Sequence, residues 1–383
     1  MKYNIIHICE DEKFINSAIN QFEIIFPNQN KFYILHTDNS IPFRHVTPSN
    51  CTKSISTIEL VQLSETLDKS SLVILHSLSS KFYSFVLKLS KEIKIVWLCF
   101  GFEVYNDSYY YKSNQLLDKI TLKKYPSKDK TLSWHQKIRP LYRIIKPNLP
   151  FSDYELKRKA IQRVNYLGST FHDEYVIIQK LLNVKKDFFN FWYYPLEQIV
   201  EINSPINFDK TTMLIGNSGF KSLNHLDVFD KIKKYNLKVS KVIIPLNYGV
   251  EGYINDIVEQ SNLTFGEKSF PLLNFLSLSD YNELLSNVGI AIFNNHRQQA
   301  LGNTIALLWF GVKIFLSEQN PFYTFLKRNN IHIFSYENEL NENSCNTFLT
   351  QEEIEQNRYI LFKLLQQDVV TAILKKHIDT IYA

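Results

Sequence analysis

The sequence predicts an α/β protein with two doubly wound parallel sheets, each in a Rossmann-like domain. Short apolar runs recur along the chain with little polar interruption, as in parallel strands that helices cover on both faces. Helix-length stretches separate these runs, and such alternation with short connections is typical of doubly wound sheets. The length of 383 residues exceeds what one hydrophobic core usually organises, so we expect two domains.

The N-terminal half carries the first alternating set, and we expect residues 1–195 to form one domain. Its predicted strands are residues 3–9, 31–36, 72–76, 93–98, 164–168 and 189–193. Its predicted helices include residues 12–25, 81–89 and 172–182. A linker bounded by two prolines is predicted at residues 195–205.

The C-terminal half repeats the pattern, and we expect residues 206–366 to form the second domain. Its predicted strands are residues 212–215, 241–245, 289–293, 312–316 and 331–334. Residues 367–383 are predicted to form a helix that packs back on the N-terminal domain. Ligands of doubly wound sheets bind outside the carboxyl ends of the strands, so we expect a site in the loops that follow them.

Composition excludes several classes of protein. With 45% apolar and 21% charged residues the chain can bury ordinary cores, and no run approaches the ~18 apolar residues of a spanning helix. These values exclude a disordered chain and an integral membrane protein. The first residues lack the apolar core of a signal peptide, so a cytoplasmic location is expected. The four cysteines form no CxxC pair, which fits neither a disulfide framework nor a structural zinc site.

Several motifs are absent from the sequence. It contains no GxGxxG and no GxxxxGK[ST], so a dinucleotide dehydrogenase and a P-loop NTPase have no support. No Asp-x-Asp occurs either, so we expect no metal and no cofactor. A phosphorylated ligand is then expected to be neutralised by helix N-termini and side chains.

Positive charge is concentrated in residues 109–147. This segment has a charge of +8, against +5 for the whole chain. Its bases are Lys112, Lys119, Lys123, Lys124, Lys128, Lys130, Lys137, Arg139, Arg143 and Lys146. Aromatic and aliphatic residues are interleaved with them, a composition suited to an anionic membrane surface. The alternative is an insertion with a solvated basic face, and no motif indicates a nucleic-acid partner.

Two loops have the composition of an anion site. Residues 216–222, Gly-Asn-Ser-Gly-Phe-Lys-Ser, follow a predicted strand, and glycines there let backbone N–H groups approach a phosphate. Residues 294–304 follow another strand and place Gly302, Asn303 and Thr304 at the start of a predicted helix. Arg297 precedes them and is suited to a diphosphate or sugar, although it could instead pair with Glu318.

Three runs together resemble the TDP-N-acetylfucosamine:lipid II N-acetylfucosaminyltransferase family, the 4-alpha-L-fucosyltransferase or Fuc4NAc transferase family. They are Gly-Asn-Ser-Gly at 216–219, Arg-Gln-Gln at 297–299 with Gly302 and Thr304 behind it, and Asn-Pro-Phe at 320–322. The resemblance is closest over residues 213–322 and weaker in the first half. There the family's Gly-Ala-Asp-Leu-Tyr run stands as Gly-Phe-Glu-Val-Tyr at 101–105, which keeps a carboxylate but lengthens it by one methylene.

The resemblance implies the GT-B fold, with acceptor binding in residues 1–195 and nucleotide-sugar binding in residues 206–366. It implies a metal-independent hexosyltransferase that moves 4-acetamido-4,6-dideoxygalactose from a TDP donor to a polyprenyl-diphosphate-linked glycan. That reaction belongs to surface polysaccharide synthesis, of enterobacterial common antigen or a lipopolysaccharide O-antigen. The family also implies peripheral attachment to the cytoplasmic face of the inner membrane, where residues 109–147 would face the lipid.

Candidate residues follow from the two loops and the resemblance. The donor-binding candidates are Gly216, Asn217, Ser218, Lys221, Tyr248, Arg297, Gln298, Gln299, Gly302, Asn303, Thr304 and Asn320. Glu103 is the first candidate for the base that accepts the acceptor proton, and Asp11 is the second. His7 and His76 are candidates for orienting the acceptor or the diphosphate, or are satisfied structural residues.

Three other functions remain open at this point. One is a transferase of the same fold that uses a UDP- or GDP-sugar. Another is a sugar-nucleotide 2-epimerase, which would need no acceptor and no lipid surface. The last is a non-catalytic membrane-associated assembly factor, which would bind anionic vesicles but no nucleotide.

Overall fold

The computed structural model describes residues 3–36, 42–127, 129, 133–207 and 210–383. The chain divides into two compact units, and each unit is organised around one parallel sheet. Unit 1 comprises Met1–Tyr111, Lys130–Tyr194 and Asp368–Ala383, and unit 2 comprises Lys112–Asp129 and Pro195–Gln367.

Strands and helices alternate along both units. The strands are β1 (Ile5–Glu10), β2 (Asn30–Leu35), β3 (Thr52–Ile55), β4 (Leu72–Leu75), β5 (Lys94–Leu98), β6 (Tyr166–Ser169), β7 (Asp187–Asn190), β8 (Thr212–Ile215), β9 (Lys241–Pro245), β10 (Ser269–Leu272), β11 (Val288–Phe293), β12 (Lys313–Leu316) and β13 (Phe334–Ser335). The helices are α1 (Ile15–Ile25), α2 (Thr57–Thr66), α3 (Tyr83–Lys88), α4 (Phe102–Tyr105), α5 (Lys119–Lys124), α6 (Trp134–Ile145), α7 (Asp153–Arg163), α8 (His172–Leu182), α9 (Leu196–Ile199), α10 (His225–Ile232), α11 (Glu251–Phe265), α12 (Leu278–Ser286), α13 (Leu301–Trp309), α14 (Pro321–Arg328), α15 (Gln351–Leu365) and α16 (Gln367–Tyr382).

Unit 1 contains a seven-stranded sheet in the order β3-β2-β1-β4-β5-β6-β7, and every pair in it is parallel. β1 lies between β2 and β4, with Ile5 opposite Asn30 on one side and Leu72 on the other. Apolar side chains cover both faces of this sheet, because helices pack on each. The chain changes direction across the sheet between β1 and β4, so this is the topological switch point of unit 1.

Unit 2 contains a six-stranded parallel sheet in the order β10-β9-β8-β11-β12-β13. β8 lies between β9 and β11, with Leu214 opposite Ile243 and Ala291. β11 is buried along its whole length, as its uninterrupted apolar run predicts. The switch point of unit 2 therefore lies between β8 and β11, and the two glycine- and amide-rich loops follow these two strands.

The predicted fold class is confirmed, and most predicted strands lie within two residues of an observed one. Two strands were not predicted, β3 and β10. β3 reads Thr-Lys-Ser-Ile and β10 contains Pro271, and both are edge strands, where polar residues and proline are tolerated. The last strand was predicted at residues 331–334, but only Phe334 and Ser335 pair with β12.

The compact units differ in one stretch from the predicted domain boundaries. Lys112–Asp129, which the sequence placed in the N-terminal domain, groups with unit 2. Asp227 explains part of this grouping, because its carboxylate accepts from Ile120 N at 2.8 Å and Thr121 N at 2.9 Å at the start of α5. The basic segment 109–147 is consequently divided between the units. Lys128 and Lys130, and the side chain of Lys137, lie outside the described residues.

Helix α16 packs within unit 1. Leu374 and Ile378 are buried in the core cluster that contains Ile5 and Phe32. The Tyr3 hydroxyl donates a hydrogen bond to Asp379 Oδ1 at 2.7 Å. These contacts join the last helix to the first strand region of the chain.

Candidate functional site

The loops after β8 and β11 lie side by side at the switch point of unit 2. Gly216, the first residue after β8, donates its N–H to Ile292 O of β11 at 3.0 Å and has a φ of 68°. Ser222 and Gln299 join the two loops further out through a 3.4 Å contact from Ser222 Oγ to Gln299 Oε1. The structure thus brings together the two loops that the sequence indicated.

Close backbone contact fixes the first of these loops. Gly219 N donates to Tyr248 O at 2.7 Å, and Val250 N donates to Gly219 O at 3.0 Å. A Cβ on Gly249, which has a φ of 148°, would lie 2.2 Å from Gly219 O. Glycine is required at position 249 because both the backbone angle and the space exclude a side chain.

Buried polar atoms without a hydrogen-bond partner among the described residues cluster at this edge. They are Asn217 Oδ1, Ser218 Oγ, Asn294 Oδ1, Asn295 Oδ1 and Asn320 Nδ2. These residues are at most 5% exposed, and all follow β8, β11 or β12, which lie near each other in the sheet. An unsatisfied buried polar group costs about 1–3 kcal/mol. Such a concentration at a switch point indicates a place where a polar ligand completes the hydrogen bonding.

A charged pair, His296 and Asp118, holds the start of the second loop. His296 Nε2 lies 3.3 Å from Asp118 Oδ1, and Asn294 Nδ2 donates to Asp118 Oδ2 at 2.6 Å. Asn224 is also part of this cluster, since its Nδ2 donates to Asn294 O at 2.8 Å and its Oδ1 accepts from Asp118 N at 2.9 Å. Asp118, outside both loops, therefore holds the residues that precede Arg297.

The His296–Asp118 pair sets a pH dependence. Burial lowers the pKa of His296, but the hydrogen bond and charge of Asp118 outweigh it and raise that pKa above 6.5. Burial likewise opposes ionisation of Asp118, yet its bonds to His296 and Asn294 bring the carboxyl pKa below 3.8. Because its pKa is raised in the folded protein, His296 contributes stability that is present below pH 6.5 and is lost as pH rises through the folded pKa. That from Asp118 is present above pH 3.8 and is lost as pH falls through its lowered pKa.

We expect Asp118→Asn to destabilise the protein more at pH 5.5 than at pH 8.5, because the ion pair exists only where His296 is protonated. Urea unfolding of wild type and variant at both pH values measures this difference. An equal loss of unfolding free energy at pH 5.5 and pH 8.5 would show that the pair carries no charge-dependent stabilisation.

Helix α13 begins directly after the second loop. Its N-cap is Ala300, and Gly302 and Asn303 lie in the first turn, where N–H groups have no acceptor within the helix. Asn303 Nδ2 donates to Tyr281 OH at 3.1 Å. The N–H and the hydroxyl of Thr304 both donate to Ala300 O, at 2.9 and 3.0 Å, and its role in donor binding stays a prediction. Thr304 thus closes the first helical turn.

Arg297 and its neighbours lie between β11 and α13 and are partly exposed. Arg297 Nη1 lies 3.4 Å from Gln298 O, and Asn295 Nδ2 donates to Arg297 O at 2.9 Å. Gln299 contacts Ser222 of the first loop, as described above. This part of the loop is therefore held by side-chain contacts to its own backbone and to Ser222.

Lys221, Tyr248 and Asn320 each form hydrogen bonds with other residues of the protein. The Lys221 ammonium donates to Tyr125 O at 3.2 Å and to Ser127 Oγ, and burial lowers its pKa. These contacts hold the ammonium within unit 2, and its role in donor binding stays a prediction. Tyr248 OH accepts from Asn217 Nδ2 at 3.1 Å. Asn320 caps α14 by accepting from Phe322 N at 3.0 Å, which leaves its buried Nδ2 without a partner among the described residues.

Glu103, the first candidate base, lies in unit 1 and is 8% exposed. Its carboxylate accepts from Phe100 N at 3.0 Å, Leu78 N at 3.2 Å and Trp97 Nε1 at 3.3 Å. Burial raises the pKa of Glu103 although these donors oppose the rise. The carboxylate thus ties the loop after β4 to the loop after β5, and its role as a base stays a prediction.

Asp11, the second candidate, stabilises a loop. It accepts from the backbone N–H groups of His45 at 3.0 Å, Val46 at 2.9 Å and Arg44 at 2.5 Å. Burial opposes ionisation, but the three donors together hold the pKa of Asp11 below 3.8. A carboxylate that is hydrogen-bonded three times and has a low pKa is a weak proton acceptor.

His7 and His76 belong to the interior of unit 1. His7 Nδ1 lies 3.0 Å from His76 Nε2, and His7 Nε2 lies 3.4 Å from Asn30 Oδ1. His76 Nδ1 contacts Tyr193 OH at 2.8 Å. Burial lowers the pKa of His7 well below 6.5 and that of His76 to about 3. All four ring nitrogens therefore have protein partners, which favours the satisfied structural interpretation over acceptor orientation.

His225 was not among the sequence candidates. It starts α10, is fully buried, and its Nδ1 lies 3.0 Å from Tyr253 OH, whereas its Nε2 has no partner among the described residues. A Cβ on Gly216 would lie 2.5 Å from this Nε2. Burial lowers the pKa of His225 to about 3, so the ring is neutral at pH 7. It lies ten residues after the end of β8, and no local signal in the sequence marked it.

The described residues contain neither a candidate metal site nor a membrane-spanning helix. Within these ranges, His, Cys, Asp and Glu form no set of three or more that could hold a metal ion. None of the helices in the described part of the chain is both long and apolar enough to cross a bilayer.

Comparisons with known proteins identify a matching family and similar solved structures. The sequence model of the family described as 4-alpha-L-fucosyltransferase, glycosyl transferase group 56, matches residues 120–368. Among solved structures, a glycosyltransferase from Rickettsia africae is similar at 12% identity with a TM-score of 0.61, over 100% of this chain and 98% of that one. The α,α-trehalose 6-phosphate synthase of Burkholderia multivorans is similar at 10% identity with a TM-score of 0.59, over 100% of both chains. At these identities the solved structures show the fold alone, which is GT-B.

Proposed function

The chain belongs to glycosyl transferase group 56, the 4-alpha-L-fucosyltransferase family, and we propose that it transfers a 4-amino-4,6-dideoxyhexose from a TDP-sugar to a polyprenyl-linked glycan. The family and the GT-B fold make it a glycosyltransferase. The donor, the acceptor and the pathway are the proposal. The expected acceptor is a polyprenyl-diphosphate oligosaccharide, and the expected pathway is common antigen or O-antigen synthesis.

The unsatisfied buried atoms at the unit 2 switch point carry the proposal. Five buried atoms lack a protein partner among the described residues: the amide oxygens of Asn217, Asn294 and Asn295, the hydroxyl of Ser218 and the amide nitrogen of Asn320. The hydroxyl groups of a sugar nucleotide can donate to the three amide oxygens, and its carbonyl and phosphate oxygens can accept from Ser218 Oγ or Asn320 Nδ2. Ligand binding would thus remove a cost that the folded chain otherwise bears.

Negative charge on the leaving diphosphate is the chemical problem of glycosyl transfer. Donors that are already oriented in a desolvated site stabilise such charge by several kcal/mol. Three groups would supply donors here: the Arg297 guanidinium, the N–H groups of Gly302 and Asn303 at the start of α13, and the N–H groups of Asn217 and Ser218. Gly216 and Gly219 use their own N–H groups within the protein. Lys221 contributes less than expected, because its ammonium already has two protein acceptors.

A proton must also leave the acceptor hydroxyl. Glu103 stays the first prediction for this base, since burial raises its pKa and a more basic carboxylate accepts a proton more readily. Asp11 is disfavoured by its lowered pKa. A polyprenyl acceptor would place the reaction at the inner face of the inner membrane, with the enzyme bound peripherally.

The proposal is tested by calorimetric titration of the purified protein with TDP, UDP and GDP in the presence of EDTA. We expect selective binding of TDP, because the proposed donor is a TDP-sugar and no metal is required. Preference for UDP or GDP would assign another donor within the same fold. Absence of binding by all three would favour the non-catalytic assembly factor.

Gly302→Ala is expected to weaken TDP binding by roughly 10-fold without lowering the melting temperature. A Cβ at position 302 meets no protein atom within 4 Å, so the change leaves the fold intact, and alanine favours the helix. Only a ligand at the start of α13 would meet the added methyl group. Calorimetry and thermal unfolding of the same preparation separate the two effects.

Gly252→Ala is the matched control for this change. Gly252 is also the second residue of a helix, α11, and also has no atom within 4 Å of an added Cβ. We expect it to leave TDP affinity unchanged. Equal TDP affinity in Gly302→Ala and wild type would argue against a nucleotide at the start of α13.

A further inference from the structure

Helix α6 is attached to unit 1 through its polar face. Gln136 Nε2 donates to Tyr109 OH at 3.1 Å. Arg143 Nη1 donates to Glu155 Oε1 at 2.7 Å, and Arg139 Nε lies 3.3 Å from Glu155 Oε2. These three residues recur at intervals of three and four, so they lie on one side of the helix.

The apolar side chains of α6 point the other way. Trp134 is 68% exposed, Leu141 64%, Tyr142 53%, Ile144 77% and Ile145 80%. None of the side chains described in this helix is buried. A helix on the surface of a globular protein ordinarily buries its apolar face and exposes its polar face. The orientation of α6 is reversed: among the described residues, Ile138 of this face is partly covered and the five apolar side chains named above are more than half exposed.

The charges around α6 indicate what covers it. Residues 134–146 contain four bases and no acidic residue. Exposed Lys146 follows the helix, and the Lys159 ammonium lies 3.8 Å from the Phe151 ring, which Arg143 also contacts at 3.9 Å. An isologous contact between two copies would bring the like charges of residues 134–146 together. An anionic bilayer matches both the charge and the apolar face.

The aromatic residues of α6 fit the same partner. Trp134 stands at the first position of the helix and Tyr142 near its end, and amphipathic aromatic rings favour the depth of lipid headgroups. Aliphatic side chains between and beside them would reach the upper acyl region. A helix of this kind lies in the plane of the interface without crossing it.

We propose that α6 is an interfacial docking helix, which inserts Leu141, Ile144 and Ile145, with Trp134 and Tyr142 at their flanks, into the surface of an anionic bilayer. This inference deepens the proposed function and rests on its membrane-linked acceptor. It also revises the expectation for residues 109–147. Arg139 and Arg143 are bonded to Glu155, so they orient the helix, and its apolar insertion supplies much of the attachment.

Sedimentation with vesicles of phosphatidylglycerol and phosphatidylcholine tests the docking helix. Wild type is expected to bind, and Leu141→Gln/Ile144→Gln/Ile145→Gln is expected to lower the partition coefficient on the order of 100-fold. The three side chains are solvent-exposed, so their replacement should not unfold the protein. The control Ile24→Gln/Ile58→Gln/Leu263→Gln removes three aliphatic side chains that are exposed by 56%, 74% and 73%, and should bind as wild type does.

Tryptophan fluorescence gives a second readout from the same helix. Of the four tryptophans, Trp97, Trp192 and Trp309 are at most 7% exposed, whereas Trp134 is 68% exposed. Vesicles should shift wild-type emission to the blue, and Trp134→Phe should abolish that shift. A shift that persists in Trp134→Phe would contradict insertion at α6.

Further outcomes would overturn the inference. It fails if wild type does not bind the vesicles, or if the triple variant and the control variant bind equally. It also fails if the apolar face instead holds two copies together, seen as a wild-type dimer that the triple variant converts to a monomer without lipid. TDP titration of the triple variant separates this inference from the proposed function, since nucleotide affinity does not depend on α6.

Discussion

Arg297→Ala is expected to lower kcat/KM for sugar transfer by roughly 10³-fold. Arg297 lies between the buried end of β11 and the start of α13, where the leaving diphosphate is proposed to bind. Its guanidinium would gain interaction energy as charge develops on that group, so the loss should fall on kcat as well as on nucleotide affinity. Arg297→Lys should recover only part of the rate, because an ammonium keeps the charge but not the planar fork.

Arg328→Ala is the matched control for this change. Arg328 is exposed in the last turn of α14, also in unit 2, and is remote in sequence from both loops. Thermal unfolding checks that both variants remain folded. An Arg297→Ala enzyme that keeps wild-type kcat/KM and TDP affinity would remove this residue from the donor site.

Gly249→Ala is expected to lower the free energy of unfolding by about 3 kcal/mol. The added Cβ would lie 2.2 Å from Gly219 O and 2.5 Å from Gly219 Cα, at a φ of 148° that side chains rarely adopt. Relief requires the loops after β8 and β9 to separate, which displaces Tyr248 from Asn217. Donor binding should therefore weaken together with stability, as calorimetry and urea unfolding can show.

Gly266→Ala separates the two causes of this loss. Gly266 also has a positive φ, 55°, but no atom lies within 4 Å of an added Cβ. Its replacement is expected to cost about 2 kcal/mol, from backbone strain alone, because its ψ of −131° lies outside the left-handed helical region. If Gly249→Ala cost no more than Gly266→Ala, the close approach of the two loops would not be a determinant of stability.

Much of the fold was predictable because buried parallel strands have a sequence signature. β8 and β9 were predicted at their observed bounds, since their apolar runs end at glycine or proline turns. β3 escaped prediction because its edge position permits Thr, Lys and Ser. The order and pairing of the strands could not be predicted from these local patterns, because they depend on contacts between segments that are distant in the sequence.

The candidate site was predictable as loops but not as contacts. Residues 216–222 and 294–304 were identified from glycines, amides and a guanidinium beside strand ends. Asp118, which holds Asn294 and His296, lies 176 residues before Asn294, and no local pattern connects them. Glu103 and His7 illustrate the converse, because a polar residue near a strand end can satisfy the backbone or another side chain instead of a ligand.

The basic segment shows a third limit. Its amphipathic composition was visible in the sequence, but the direction in which α6 points was not. That direction is set by Tyr109 and Glu155, which bind Gln136, Arg139 and Arg143 from outside the helix. Arg139 and Arg143 share the single carboxylate of Glu155, which offsets one of their two positive charges.

Mass-spectrometric detection of the transferred sugar tests the central claim most directly. The protein, in EDTA, is incubated with TDP-4-acetamido-4,6-dideoxygalactose and a polyprenyl-diphosphate-linked disaccharide. We predict that the acceptor gains the mass of one acetamidodideoxyhexosyl residue as TDP is released, and that Arg297→Ala greatly slows this gain. Consumption of the TDP-sugar without any gain of mass by the acceptor, or no consumption at all with wild type, would contradict the proposed transfer.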